Sequence, residues 1–178
     1  MSVTNIRMLS AIAAIFVAAA TTNVYSQAQL LACTEIQNIT NTPAVTSTPQ
    51  SVAVQTQTTL SCPVSSDPTI VFGNATSTLV NPSLSCSTIL GIPAPTFTRT
   101  FLWNNGQQST FTYKEDLIDV GVVSVVVLSG LITSGEFQGS SAQSIVTFPA
   151  INKLLCGIGD SSISALSGVG TFVIDPIL

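Results

Sequence analysis

Acidic and basic side chains gather in one short segment of the chain, and their types would suit acid–base chemistry. Lys114 is followed by Glu115, Asp116 and Asp119. Glycoside hydrolysis needs two carboxyl groups roughly 5–10 Å apart, and strand alternation would place Glu115 and Asp119 on one side with Asp116 on the other. The simpler interpretation is a polar loop between two strands that keeps the sheet edge soluble. We therefore predict no catalytic residue here and keep a carboxylate-based hydrolase as an alternative.

The sequence contains no histidine. This excludes Ser-His-Asp and Cys-His catalysis and every metal site that depends on imidazole. A Ser-Lys dyad would need Lys114 or Lys153 beside a particular serine, and nothing in the sequence places either there. No loop has the acidic spacing typical of a strong calcium site. We therefore expect a protein that is not an enzyme and has neither metal nor cofactor.

Aromatic and amide side chains cluster around one predicted hairpin, and such groups are typical of sugar-binding surfaces. The candidate ligand-binding residues are Trp103, Asn104, Gln108 and Tyr113. A single tryptophan in a small β domain is usually part of the core. Sugar binding at this hairpin therefore depends on Trp103 being exposed.

The hairpin itself is predicted by Asn105-Gly106 between two β-rich flanks. This dipeptide favours a two-residue type I′ turn. In that register Phe101 faces Thr110, while Leu102 shares the opposite face with Phe111 and Tyr113. Both faces carry aromatic rings, so the pattern does not show which of them is buried.

Alternation of polar and apolar residues predicts strands along the rest of the chain. In residues 51–62 the even positions are the less polar ones and turn Cys62 inward. The further predicted strands are residues 34–40, 120–132, 141–148 and 168–174, with glycine turns at 135 and 139 and one short helical turn at 149–157. Roughly seven to nine short strands favour an immunoglobulin-like antiparallel β-sandwich, with a closed β-barrel as the alternative.

The N-terminus has the pattern of a secretory signal peptide. Arg7 precedes an apolar run, residues 8–20, which is shorter than the roughly 20 residues of a membrane-spanning helix. Val24-Tyr25-Ser26 suits signal peptidase. We predict a signal peptide at residues 1–26, a single β-sandwich domain at residues 27–178, secretion, and no stable membrane span.

Four cysteines follow the predicted cleavage site, and an even number in a secreted chain predicts two disulfides. A hairpin that turns near residues 47 and 48 would bring Cys33 opposite Cys62 and leave Cys86 to pair with Cys156. The alternative, Cys62 with Cys86 and Cys33 with Cys156, is nearly as well supported.

Charge and sequons bear on partners and modification. Acidic residues number 8 and basic residues 4, so no basic patch is present to neutralise phosphates, and nucleic acid is excluded as a partner. Asn38 and Asn74 head two Asn-x-Thr sequons that would accept glycans in a eukaryotic host.

The order of short motifs along the chain resembles a family of small secreted four-cysteine β proteins of unassigned function, common in actinobacteria. The resemblance covers nearly the whole mature chain. It is carried by Ala32-Cys33-Thr34, Thr48-Pro49-Gln50, Cys62, Asp67-Pro68-Thr69-Ile70, Leu84-Ser85-Cys86, Trp103-Asn104-Asn105-Gly106, the turn at residues 133–139, a late Leu-Leu-Cys and a closing Gly-x-Gly-Thr strand. It implies a secreted two-disulfide β domain and supplies no catalytic residues.

Together these features predict a secreted, non-catalytic binding or structural module whose partner is an extracellular protein or a glycan. The first alternative is the carboxylate-based secreted hydrolase. The second is a membrane-active protein that would insert the valine-rich residues 120–132 into lipid.

Overall fold

A computed structural model gives the structure of the chain. It describes residues 29–89, 96–120, 123–149, 156, 158 and 161–177. The expected signal peptide at residues 1–26 lies outside the described residues, as do Lys153 and most of the helical turn expected at 149–157. The domain boundary at residue 27 therefore stays a prediction.

Eight antiparallel strands form the part of the chain that the structure describes, and each pairs with the next along the sequence. They are β1 (Leu31–Val45), β2 (Gln50–Ser65), β3 (Phe72–Leu84), β4 (Phe97–Trp103), β5 (Gln108–Val120), β6 (Val123–Gly135), β7 (Ser141–Pro149) and β8 (Ile163–Asp175).

Pairing between the last strand and the first closes the sheet. β8 lies beside β1 from Leu31 opposite Ile174 to Val45 opposite Ile163, and the result is a closed barrel. The all-β class is confirmed, but the architecture is the barrel that the sequence left as the alternative, in place of the immunoglobulin-like sandwich. Both architectures are built from short alternating strands. They differ in whether the two outermost strands pair, which alternation within a strand does not record.

Two glycines in the strands allow neighbouring backbones to approach closely. A Cβ atom on Gly130 would overlap the carbonyl oxygen of Thr112, and one on Gly170 would overlap that of Ile145. Glycine inside a strand weakens the strand but permits such contact and the sharp bending that a closed sheet requires.

Most of the predicted strands are confirmed, with longer bounds. Residues 34–40 lie in β1, residues 51–62 in β2, residues 141–148 in β7 and residues 168–174 in β8. Residues 120–132 are split, since β5 ends at Val120 and β6 begins at Val123. The polar segment around Glu115 was predicted to be a loop, and this is wrong, because it continues β5. The sequence analysis did not identify β3.

The hairpin between β4 and β5 has a register different from the predicted one. Phe101 lies opposite Ser109, the amide of Trp103 donates to the carbonyl of Gln107, and Gly106 has a φ of 86°. These features define a three-residue loop with a glycine in the left-handed region, in place of a type I′ turn. A shift of one residue moves every side chain of a strand to the opposite face relative to its partner. Phe101 therefore shares the inner face with Phe111.

The inner face changes in character from one end of the barrel to the other. At the end that carries Cys33 and Cys62, an aromatic cluster fills the interior with rings 4.8–6.3 Å apart. The members of this aromatic cluster are Phe101, Trp103, Phe111, Phe137 and Phe172. One step further along the strands lies a polar layer of Glu35, Gln37, Thr58, Arg99 and Ser144. Beyond this polar layer lies the half of the barrel that contains a cavity, called here the hollow half. Buried apolar side chains such as Val45, Val52 and Leu84 pack at its far end.

The two disulfides follow the pairing that the hairpin argument favoured. Cys33 is bonded to Cys62, and Cys86 is bonded to Cys156. The first joins β1 to β2 beside the aromatic cluster. The second joins the segment after β3 to the segment between β7 and β8. The Cys86 amide also donates to the carbonyl of Thr46, in the turn between β1 and β2.

Loss of the second disulfide should be strongly destabilising, because it closes a loop of 70 residues. Chain-entropy arguments give a cost of about 3–5 kcal/mol for removing it. We expect the double variant Cys86→Ser/Cys156→Ser to lose that much free energy of unfolding in urea. Peptide mapping without reduction should still find Cys33 joined to Cys62 in the variant. A double variant as stable as the wild type would contradict this assignment.

Candidate ligand-binding site

Trp103 is part of the core and not a surface platform. Only 2% of its surface is exposed, its ring stacks on Phe101 at 5.7 Å, and its indole N–H donates to Ser109 Oγ at 2.8 Å. A Cβ atom on Gly73 would come within 2.5 Å of the ring. The exposed tryptophan that sugar binding at the hairpin requires is therefore not present.

The other hairpin candidates are also dispersed. Asn104 joins the hairpin to the segment before β3 through three hydrogen bonds. Its Oδ1 accepts from the amides of Val71 and Phe72 at 2.9 and 3.1 Å. Its Nδ2 donates to the carbonyl of Thr69 at 2.8 Å. Gln108 is exposed at the start of β5. Tyr113 is buried inside the barrel. The four candidates therefore do not form one surface.

The acidic segment of β5 divides between the two faces as alternation predicted. Asp116 is exposed on the outer face, while Glu115 lines an interior cavity and Asp119 accepts a hydrogen bond from Ser124 Oγ at 2.6 Å. Four residues of strand separate Glu115 from Asp119 by about 13 Å. That figure is a backbone separation. Glu115 lines the cavity, whereas Asp119 is exposed and does not line it, so the two carboxyl groups do not face one cleft as a glycosidase pair does. The described residues hold no group of three or more potential metal ligands of the His, Cys, Asp and Glu types.

A cavity of about 340 Å³ occupies the hollow half of the barrel. Its walls combine apolar and polar side chains in nearly equal number, and its inner end is the polar layer. The apolar lining residues are Ile39, Val54, Leu79, Ile89, Phe97, Val126, Leu128 and Phe148, and the polar ones include Gln37, Thr56, Arg99, Tyr113 and Glu115. The volume lies near the lower limit for small-molecule pockets. The lining also includes Ser77, Thr78, Thr96 and Thr98, so it is more polar than the predominantly apolar lining typical of such pockets.

Arg99 forms the centre of the cavity floor and is held by several neighbours. Its Nη1 donates to Thr58 Oγ1 at 3.0 Å. With the Gln37 amide turned so that its oxygen faces the guanidinium, that oxygen accepts from Nη1 at 2.9 Å and from Nη2 at 3.2 Å. The guanidinium carbon also lies 5.6 Å from the centre of the Tyr113 ring, within cation–π range.

The carboxylate of Glu35 lies behind Arg99, on the side away from the cavity, and opposes its positive charge. Its Oε1 lies 3.7 Å from Arg99 Nη1, and its Oε2 accepts from Ser144 Oγ at 2.6 Å. Only 1% of Glu35 is exposed. Burial raises the pKa of its carboxyl, while the hydrogen bond from Ser144 and the charge of Arg99 act in the opposite direction. Burial also raises the pKa of the Tyr113 phenol.

Glu35 and Gln37 were not predicted from the sequence, although a signal for them existed. A disulfide at Cys33 turns that side chain inward, and alternation then places Glu35 and Gln37 on the same inner face. A carboxylate on an inner face needs a buried cation. Arg99 is one of only 4 basic residues in the chain.

The cavity opens to the side, between β3 and β4. These strands are paired at only two positions, Gly73 with Trp103 and Asn74 with Leu102. Continuing that register would place Thr78 opposite Thr98, but no such pairing occurs among the described residues. Instead, consecutive residues of both strands line the cavity, namely Ser77, Thr78 and Leu79 on β3 and Phe97, Thr98 and Arg99 on β4. Since consecutive strand residues point in opposite directions, the cavity reaches the outer surface at this seam.

Both sequon asparagines are exposed on the outside of the barrel. Asn38 Oδ1 accepts from Ser167 Oγ at 2.8 Å. Glycosylation of Asn38 and Asn74 stays a prediction. No helix within the described ranges is long and apolar enough to cross a membrane.

No protein-family model, curated protein or solved structure matches this chain. The resemblance to secreted four-cysteine proteins of actinobacteria therefore stays a prediction.

Removal of the Asn104 amide should destabilise the end of the seam at which β3 and β4 are still paired. Asn104→Ala loses three hydrogen bonds to the backbone of residues 69–72, and we expect a loss of about 1–3 kcal/mol in the free energy of unfolding. Gln107→Ala, which truncates an exposed side chain in the same loop, is the control. Equal urea midpoints for the two variants would argue against this role of Asn104.

Glu35 should make stability depend on pH. The folded protein holds the Glu35 proton more tightly than the unfolded chain, so this contribution is fully present below the ordinary pKa of 4.5 and is lost as pH rises through the raised pKa. We therefore expect the free energy of unfolding of the wild type, relative to Glu35→Gln, to fall as pH increases from 4.5. Urea unfolding across a pH series measures this difference.

Asp116→Asn, which removes an exposed carboxyl from the outer face, is the matched control for that series. A pH dependence that is the same in the wild type and Glu35→Gln would show that Glu35 titrates alike in the folded and unfolded chain.

Proposed function

We propose that this protein is a secreted, non-catalytic binding protein that holds one small, largely apolar molecule inside its barrel. The observation that carries the proposal is the cavity of about 340 Å³, closed below by the polar layer and open at the seam between β3 and β4. The apolar body of the ligand lies against the walls, and its polar end lies over Gln37, Arg99 and Tyr113.

The aromatic cluster supports this placement, because it fills the other half of the barrel. Phe101, Phe111 and Phe172 are all fully buried and leave that end packed. Among the described residues, the cavity beyond the polar layer is therefore the place where we expect a ligand to bind, and the seam offers a route to it from the side. Pre-formed pockets of this kind need little rearrangement on binding, which reduces the entropic cost of association.

Two formed disulfides are compatible with an extracellular location. A non-catalytic role is supported by the positions of the carboxylates. Glu115 lines the cavity, whereas Glu35 lies behind Arg99 and is bonded to Ser144. The hydrolase alternative would need a second carboxyl group facing the same bound substrate as Glu115.

Other partners remain as alternatives for the outer surface. The sequence suggested a glycan or a surface protein, and a binding screen on the oxidised domain tests both. The membrane-active alternative predicts leakage from liposomes.

A neutral fluorescent dye, N-phenylnaphthylamine, tests the cavity directly. With about 17 non-hydrogen atoms and about −0.4 kcal/mol for each, its Kd should be on the order of 10 μM. Val54→Trp places an indole in the cavity and should abolish binding. Gln55→Trp, which puts the same group on the outer face of β2, should bind like the wild type.

Both variants should unfold cooperatively and retain both disulfides, so that lost binding reports on the cavity alone. Absence of dye binding to the wild type, or equal binding by the two variants, would overturn the proposed function.

A further inference from the structure

The charges around the cavity are few and unequal. Among the described lining residues, Arg99 supplies a positive charge and Glu115 a negative one. Glu35 lies directly behind Arg99, with Oε1 at 3.7 Å from Nη1. With both carboxyls ionised, the three groups sum to a net negative charge.

Arg99 lines the cavity, but its guanidinium is hydrogen-bonded to neighbouring side chains of the protein. Its Nη1 and Nη2 donate to Thr58 and Gln37. Its Nε is buried and lies away from the accessible surface. An anionic ligand would therefore find Nη1 and Nη2 of Arg99 already donating to Thr58 and Gln37. Nε has no hydrogen-bond partner among the described residues but is buried, and Glu35 already opposes the positive charge.

We propose that Glu35 cancels the charge of Arg99 so that the cavity selects uncharged ligands and rejects anions. This inference rests on the proposed function of the cavity and names the class of ligand it takes. On entering the cavity, a carboxylate or sulfonate ligand would have to give up part of its hydration, and Glu115 on the wall would repel it. A neutral ligand with a carbonyl or hydroxyl group avoids both costs and still contacts the polar floor.

Removal of the Glu35 charge should reverse this preference. Glu35→Gln keeps an oxygen that can accept from Ser144 Oγ, and it leaves Arg99 without its counter-ion. The uncompensated guanidinium would then attract an anion over a few ångströms of low-dielectric protein. Glu115→Gln removes a negative charge from the wall and should act in the same direction.

Two dyes with nearly the same apolar body separate charge from shape. N-phenylnaphthylamine is neutral, and anilinonaphthalene sulfonate carries a negative charge. The comparison is made at about pH 8, well above the ordinary carboxyl range, because burial raises the pKa of Glu35 and the inference requires its carboxylate. There we expect the wild type to bind the neutral dye roughly tenfold or more tightly than the anionic one. In Glu35→Gln, the affinity for the anionic dye should increase roughly tenfold, with neutral-dye affinity changed by less than about twofold.

Asp116→Asn is the matched control, because it makes the same change in net charge on the outer face of β5. Its dye preference should equal that of the wild type. If Glu35→Gln does not fold, an increase in anionic-dye affinity in Glu115→Gln supports the inference, and an unchanged ratio overturns it.

The inference is also overturned if the wild type binds both dyes equally, or if Asp116→Asn shifts the ratio as much as Glu35→Gln does. These results are distinct from a failure of the proposed function. If the neutral dye does not bind at all, the proposed function falls and this inference falls with it. If the neutral dye binds with an unselective ratio, only the charge selection is overturned.

Discussion

The hydrogen bonds between β1 and β8 turn one antiparallel sheet into a cylinder, and the rest of the structure depends on that closure. Cys33 lies opposite Phe172 along this pairing, and Glu35 lies opposite Gly170. A closed sheet has no exposed edge strands where it is fully paired, which removes a common route to aggregation. It also creates an interior that must be either packed or hollow, since a barrel of eight strands has just enough room for side chains or for one small ligand.

In this barrel one half of the interior is filled by side chains, and the other half contains a cavity. Large rings such as Trp103 and Phe101 fill the half beside the Cys33–Cys62 disulfide. In the other half, side chains such as Val52 and Phe148 are fully buried, and a cavity remains beside Val54 and Ile39. The break in pairing between β3 and β4 falls beside this hollow half.

Much of the fold was predictable, because alternation within a strand follows from local chemistry. The inward direction of Cys62 and the pairing of Cys33 with Cys62 both followed from it. Barrel closure was not predictable from alternation, because it depends on pairing between β1 and β8, which lie more than a hundred residues apart in the sequence. The hairpin at Asn105-Gly106 was predicted in place but not in register, and this hid the inward direction of Trp103. The cavity was not predictable, since it reflects volumes left unfilled by many side chains together.

The polar layer is difficult to explain as a source of stability. Moving a carboxylate and a guanidinium out of water costs several kcal/mol for each ion, and replacing such a pair with apolar residues is often neutral or stabilising. Here the cost is only partly offset, since Glu35 Oε1 and Arg99 Nε have no hydrogen-bond partner among the described residues. An apolar floor would pack against the aromatic cluster at least as well. A charged pair retained at the base of a hollow barrel is therefore better explained by what the cavity has to distinguish than by what the fold needs.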